Sequence, residues 1–95
     1  MNKNLALYRA RHILLEDRED AEYILEKLSA GEKFEDLARD MSECSSAAKG
    51  GDLGRFSSGQ MNPDFEKALF HLKEDETSDP IETEFGFHII ERLKY

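Results

Sequence analysis

Cysteine, proline and tryptophan are scarce: the 95 residues contain one cysteine, two prolines and no tryptophan. The single cysteine, Cys44, excludes a disulfide within the chain. With only three histidines beside it, a structural zinc site is not expected, because such sites use four closely spaced ligands. No apolar run is long enough to cross a bilayer, and Met1–Leu7 lacks the apolar core and cleavage site of a signal peptide. We therefore expect a cytoplasmic protein without metal, unless the chain is excised from a larger exported one.

Basic residues are outnumbered as well. The 13 Lys and Arg stand against 21 Asp and Glu, and the formal net charge is −8. Nucleic acids and anionic membranes attract proteins with a basic face, so neither is an expected partner. The acidity serves either solubility through self-repulsion or a preference for neutral or basic polypeptides. Composition alone leaves these two interpretations open.

What remains is the composition of a small globular domain, with 39% hydrophobic and 36% charged residues. The length fits one domain over residues 1–95, without an internal repeat or boundary, and we expect a monomer.

Apolar periodicity predicts alternating strands and helices in an α+β domain. Leu7–Leu15 alternates with period two, and Tyr8, Ala10, His12 and Leu14 are expected on its more buried face, because the other face carries both arginines. The further elements are predicted as helices at Arg18–Ala30, from Phe34 to Met41 and from Pro63 to Leu72, and as strands at Asp52–Phe56, Ile81–Thr83 and Phe87–Leu93.

Two histidines lie in the first and the last predicted strand. A lone strand histidine is ordinarily a half-buried core residue, but antiparallel pairing of these strands would bring His12 and His88 within about 5 Å. Two adjacent imidazoles resist simultaneous protonation, so they would form a neutral hydrogen-bonded pair near pH 7.

Three other side chains allow both a structural and a functional interpretation. Cys44 is either a small buried hydrophobe or a polarisable group beside a reacting amide. Met61 and Phe65 bracket the helix start at Asn62-Pro63, and they form either ordinary core or the wall of a small apolar cup. A Cys–His hydrolase would additionally need an oxyanion hole, which Gly50-Gly51 indicates only weakly.

Four motifs follow one another between Arg9 and Leu93. They are Arg11–Leu14; Phe34–Ala38 with Ser42–Ser46; Gly50–Phe56 with Gly59–Met61 and Pro63–Phe65; and Glu82–Ile90. In this order and spacing they resemble the parvulin family of peptidyl-prolyl cis/trans isomerases, also called rotamases.

The resemblance implies a four-stranded antiparallel sheet surrounded by about four helices. It also implies isomerisation of X-Pro bonds in support of protein folding, without a cofactor. The catalytic residues that it implies are His12, His88, Thr83 and Cys44, the last at a position that other parvulins fill with aspartate. The substrate-binding residues that it implies are Leu53, Met61 and Phe65 around the proline ring, Gln60 along the cleft, and Phe87.

One departure from the family bears on specificity. Phosphate-selecting parvulins are similar but carry a longer, arginine-rich loop after the first strand, whereas Leu15–Asp20 is short and acidic with a single arginine. A phosphate group would be repelled there. We therefore expect a non-phospho-specific enzyme whose partners are unfolded or flexible proline-containing polypeptides, neutral or basic around the proline.

The mechanism and two other functions stay open at this point. Non-covalent stabilisation of the twisted amide in an apolar pocket is expected, because the sequence places no obvious cation beside Cys44 except Lys49 or a histidine. A covalent thiolate route is the alternative. The other candidate functions are a non-enzymatic peptide-binding or holdase module on the same fold, possessing an apolar cleft without turnover, and a Cys-dependent hydrolase.

Overall fold

The computed structural model describes residues 7–95, so all but the last of the residues considered for a signal peptide lie outside the described part. The elements in chain order are β1 (Leu7–Leu15), α1 (Arg18–Ser29), α2 (Phe34–Met41), a 3₁₀ helix (Ser45–Lys49), β2 (Asp52–Ser57), α3 (Pro63–Phe70), β3 (Ile81–Thr83) and β4 (Gly86–Leu93). The strands form one antiparallel sheet in the order β2-β1-β4-β3, so the predicted four-stranded α+β architecture is confirmed. Within residues 7–95 no helix has the length and apolarity that a bilayer crossing demands.

The two terminal strands are neighbours at the centre of the sheet. β1 and β4 pair in antiparallel register from Arg9 opposite Leu93 to Leu15 opposite Phe87. In this register His12 faces Ile90, and His88 faces Leu14. The histidines are therefore diagonal neighbours on one face, a distance that ring side chains can bridge.

Apolar clusters cover both faces of the sheet. The first cluster packs α1 and α2 on one face, with Ile13, Leu15, Ala21, Ile24, Phe34, Leu37, Ala38 and Ile89 at its core. The second packs α3 on the histidine face, with Tyr8, Ala10, Phe56, Phe65, Leu69 and Ile90 at its core.

The prediction that one face of β1 is the more buried is only partly right, because helices cover both faces of the sheet. Tyr8, Ala10 and His12 are buried as expected, but Ile13 and Leu15 on the other face are buried too, and Leu14 is only half-buried. The arginines at the start of β1 indicated an exposed face, whereas the second half of that face lies under α1 and α2.

Side-chain caps set the starts of α1 and α3, and the Asn62-Pro63 start of α3 is as predicted. Asp17 caps α1 by accepting a hydrogen bond from the Asp20 N–H at 3.0 Å. Asn62 caps α3 through Oδ1, with Pro63 as the first helical residue. α3 ends at Phe70, so Leu72 lies beyond the helix, although it still packs against the second cluster.

The segment between α2 and β2 lies along the edge of β1. The predicted loop contains a 3₁₀ helix that the sequence analysis missed. Leu14 N–H donates to Ser42 Oγ at 3.0 Å, and His12 N–H donates to the Gly51 carbonyl at 3.0 Å. Gly51 has φ +87°, and a Cβ there would lie 2.4 Å from the His12 carbonyl oxygen. Only glycine allows this approach, which fixes the backbone of His12.

Candidate active site

The histidines form a buried hydrogen-bonded pair. His12 Nδ1 lies 3.0 Å from His88 Nδ1, and the rings stack at 18° with centroids 5.2 Å apart. His88 Nε2 lies 2.7 Å from Thr83 Oγ1, which also accepts a hydrogen bond from the Phe85 N–H at 3.1 Å. Both rings are 5% exposed, and Thr83 is 8% exposed. The β3–β4 hairpin thus orients the pair from one side.

The contacts favour one assignment of the protons on the ring nitrogens. Thr83 Oγ1 already accepts from Phe85, and its own proton would lack an acceptor unless it is donated to His88 Nε2. His88 then carries its proton on Nδ1 and donates to His12 Nδ1. His12 consequently carries its proton on Nε2, an atom that is buried without a hydrogen-bond partner in the described part of the chain.

The pair is neutral at physiological pH. Burial, and secondarily the charge of His88, lowers the pKa of His12 to about 4. Burial also lowers the pKa of His88. The expected hydrogen bond between the two imidazoles is present, and burial favours the neutral form of both rings.

An apolar ring packs over the pair. Phe65, 4% exposed, meets both rings edge-to-face, with centroids 5.5 Å from His12 and 5.4 Å from His88. The Asn62 cap begins α3 three residues earlier and so fixes the position of Phe65. Leu53 and Met61 are half-buried and pack against the same cluster. The three predicted proline-contacting residues therefore share one apolar cluster, and Phe65 is the one that contacts both histidine rings.

Cys44 sits at the N-cap of the 3₁₀ helix, half-buried. Burial raises the pKa of its thiol, but hydrogen bonds from Ser46 and Ser45 outweigh that effect and leave the pKa below its ordinary value. Both nitrogens of His88 and the Nδ1 of His12 bond elsewhere, and His12 Nε2 has no partner among residues 7–95. The thiol therefore forms no Cys–His dyad within the described chain.

Two predicted substrate-binding residues lie differently from the rest. Gln60 is exposed, and its Oε1 accepts from the N–H and the hydroxyl of Ser57, so its amide oxygen holds the turn after β2. Phe87 packs against the first cluster with the Arg18 guanidinium 5.2 Å from its ring centre. Its assignment to the substrate site is wrong, because neighbours in a strand point to opposite faces and His88 takes the site face.

Two contributors to the site were not anticipated. Ser42, at the end of α2, accepts the Leu14 N–H and so anchors the segment that carries Cys44. Phe85 contributes its backbone N–H to Thr83. Both lie within the motifs quoted above, but their roles could not be assigned from sequence because the contacts depend on strand register and loop path.

Comparison with known proteins defines the class. Residues 12–94 match the family described as Rotamase: PPIC-type PPIASE domain. The chain is thus a peptidyl-prolyl cis/trans isomerase domain, a class that the buried histidine pair under Phe65 fits. Within that class it belongs to the PPIC-type, or parvulin, family, and the resemblance read from its motifs is confirmed.

Two relatives of this chain differ in length. The foldase protein PrsA of Bacillus subtilis (strain 168) is 55% identical over 87 residues, which cover 90% of this chain and 30% of PrsA. The crystal structure of PrsA from Bacillus subtilis matches with a TM-score of 0.90 at 52% identity, covering 94% of this chain and 35% of that one. The solution structure of NmPin, the parvulin of Nitrosopumilus maritimus, matches with a TM-score of 0.84 at 46% identity, covering 93% and 96%. The chain therefore spans about a third of PrsA and nearly all of NmPin.

Proposed function

We propose that this domain turns X-Pro bonds in unfolded or flexible polypeptides by non-covalent stabilisation of the twisted amide, and that it thereby assists protein folding. The observation that carries the proposal is the neutral His12–His88 pair packed directly under Phe65. The name foldase, which PrsA carries, agrees with the role in folding.

The chemistry follows from amide resonance. Rotation about the X-Pro bond crosses a barrier of roughly 18–20 kcal/mol because resonance is lost at the twisted geometry. The twisted amide carries less charge on oxygen, so an apolar, water-poor site favours it over the polar planar ground state. Each ~1.4 kcal/mol of such preference raises the rate tenfold. A protonated histidine would make the site polar, and the low pKa of His12 prevents this at neutral pH.

Each residue has a distinct role in this mechanism. Leu53, Met61 and Phe65 hold the proline ring while the acyl side rotates. Thr83 fixes the tautomer of the histidine pair. Cys44 places a polarisable group beside the rotating bond.

A covalent role for Cys44 is not part of the proposal. The pKa of the thiol is lowered by the neighbouring serines and not by a cation or a histidine hydrogen bond. The same geometry argues against the hydrolase alternative, because a catalytic thiol needs a base within hydrogen-bond reach.

The substrate is proposed to be non-phosphorylated, with a neutral or basic residue beside the proline. β1 and α1 are joined by Glu16 and Asp17 alone, and Arg18 lies over the Phe87 ring on the opposite face of the sheet. A phosphate near the end of β1 would therefore meet carboxylates. We further propose that the domain acts as a monomer, in the cytoplasm when it stands alone, and in an exported compartment when it is part of a longer chaperone.

A magnetisation-exchange NMR assay on Ala-X-Pro-Phe peptides tests the proposal. Turnover should be measurable for X = Leu and Lys and slower for X = Glu and phosphoserine. Phe65→Ala, checked for folding by circular dichroism, should lose most of the activity. Binding of these peptides without turnover would instead indicate a holdase module, and iodoacetamide-sensitive ester cleavage would indicate a hydrolase. Faster turnover of the acidic peptides would contradict the proposed preference.

A further inference from the structure

Cations cluster in one groove of this acidic chain. A cavity of about 620 Å³, here called the basic groove, is lined by Arg9, Arg11, Arg39, Lys49 and Lys94 together with three carboxylates. These are five of the 13 basic residues in a chain of net charge −8. The groove therefore differs in sign from the rest of the surface.

The floor and the rim of the groove differ in how far their charges are satisfied. Arg9 pairs with Asp52 at 2.6 Å, and Arg11 bonds to both Glu35 and Glu91. On the rim, Lys49 has no ion pair with any described residue.

The other two rim cations have only weak partners. Arg39 lies 3.6 Å from Asp36, and Lys94 lies 3.8 Å from Asp75, with every side chain in these two pairs more than half exposed. Exposed pairs contribute little to stability and exchange partners readily. Arg39, Lys49 and Lys94 are thus available to an anionic ligand.

The basic groove extends towards Leu53, one of the residues proposed to contact the proline. A neighbouring depression of about 580 Å³ shares Arg9, Lys49 and Asp52 with it and extends to Leu53. Leu53 packs against the cluster that contains Phe65. A polypeptide whose proline contacts Leu53 could therefore continue over β2 into the groove without leaving the surface.

We propose that the basic groove binds an acidic stretch of the same polypeptide whose proline occupies the pocket. This inference rests on the proposed function and adds an acidic segment, several residues from the proline, to the definition of the substrate. It agrees with a neutral or basic residue next to the proline. Arg9 lies near the start of β1 and Glu16 follows its end, which separates the two charge preferences by roughly 20 Å along the strand.

A peptide suits the groove better than a polyanion. The three carboxylates among the cations would repel a continuous phosphate array, whereas spaced Glu or Asp side chains can alternate with them. The net charge of −8 also opposes nucleic acid and anionic lipid at longer range.

The test compares peptides with a common Ala-Leu-Pro-Phe core. A Gly-Ser spacer joins the core to alternating Glu and Gly, or to Gln and Gly, on either side of the proline. The Glu segment should raise kcat/KM over the Gln segment by about fivefold, through a lower KM, when it stands on one side of the proline and not when it stands on the other. A fivefold gain is the size expected of two or three exposed ion pairs. The gain should vanish at about 0.5 M NaCl, where surface charges are screened.

Two triple variants locate the effect. Arg39→Gln/Lys49→Gln/Lys94→Gln should abolish the gain and leave turnover of the Gln peptide unchanged. The matched control, Arg18→Gln/Lys27→Gln/Lys73→Gln, removes the same charge outside the groove and should keep the gain. Equal loss in both, or no gain in the native chain, would overturn the inference.

Further measurements separate this inference from the proposed function and from other occupants. Fluorescence anisotropy of the Glu peptide without its proline should show groove-dependent binding even if no peptide is isomerised, a result that would sink the proposed function alone. Groove-dependent binding to phosphatidylglycerol vesicles but not to the Glu peptide would overturn the inference in favour of a membrane. Groove-dependent self-association in sedimentation would overturn it in favour of a second copy.

Discussion

Thr83→Val tests whether the hairpin hydroxyl controls the histidine pair. The substitution keeps the shape of the side chain and removes one hydroxyl, so that His88 Nε2 and the Phe85 N–H lose their shared partner in a buried place. A buried polar group left without a partner costs about 1–3 kcal/mol. For a domain of this size, 1 kcal/mol lowers Tm by roughly 4–8 °C, so a fall of about 4–24 °C is expected.

The same substitution should change the tautomers. In the native chain, ¹⁵N NMR of the imidazoles should show a proton on Nδ1 of His88 and on Nε2 of His12, and Thr83→Val should mix these states and lower kcat. Thr83→Ser restores the hydroxyl and should recover most of both. Thr77→Val, at an exposed position in the same segment, serves as the control. If Thr83→Val and Thr77→Val cost the same, or if the tautomers do not change, the hydroxyl does not have this role.

Three other changes give further checks. Cys44→Asp should fold and retain substantial isomerase activity; complete loss in a folded variant would favour a covalent route. Burial depresses the pKa of His12 from an ordinary 6.5 to about 4, so the unfolded chain binds more protons in that window, and stability should fall by about 3 kcal/mol as pH drops through it; urea denaturation should show this slope in the native chain and a shallower one in His12→Gln, where the buried His88 still contributes. Gly51→Ala should cost more than about 2 kcal/mol in the same assay, since its Cβ would meet the His12 carbonyl, whereas Gly54→Ala, also at positive φ but with open space, should cost only the backbone term; equal costs would show that the close approach is unimportant.

Features set by neighbouring residues could be predicted from the sequence, whereas the register between distant strands could not. The Asn62-Pro63 cap and the bounds of β1 follow from nearest-neighbour rules, and the structure has both. His12 and His88 are 76 residues apart, and their diagonal placement depends on how β1 and β4 align. Periodicity predicts each strand but not this alignment, so the pair could be predicted only if the two strands were assumed to be neighbours. Phe87 was assigned to the substrate site because it lies beside His88 in the family motif, but the motif does not say that the two side chains point to opposite faces of the sheet.

The path of the segment before β2 escaped prediction for a similar reason. Serines and glycines indicated a loop, but the hydrogen bonds from Leu14 to Ser42 and from His12 to Gly51 require β1 as a partner. None of the residues of the 3₁₀ helix at Ser45–Lys49 is buried, so its sequence does not need an apolar face and shows no periodic pattern from which a helix could be predicted. The availability of the rim cations likewise depends on where the carboxylates fall in space.

The pairing of β1 with β4 has a consequence for how this domain can be carried by other proteins. Arg9 and Leu93 face each other across two antiparallel strands, so the chain enters and leaves the fold at points about 5 Å apart. A host protein could accept such a unit within a surface loop and keep its own fold on both sides of the insertion. The same fold can therefore serve as a separate protein or as a cassette inside a longer one, which agrees with its match to nearly all of NmPin and to about a third of PrsA.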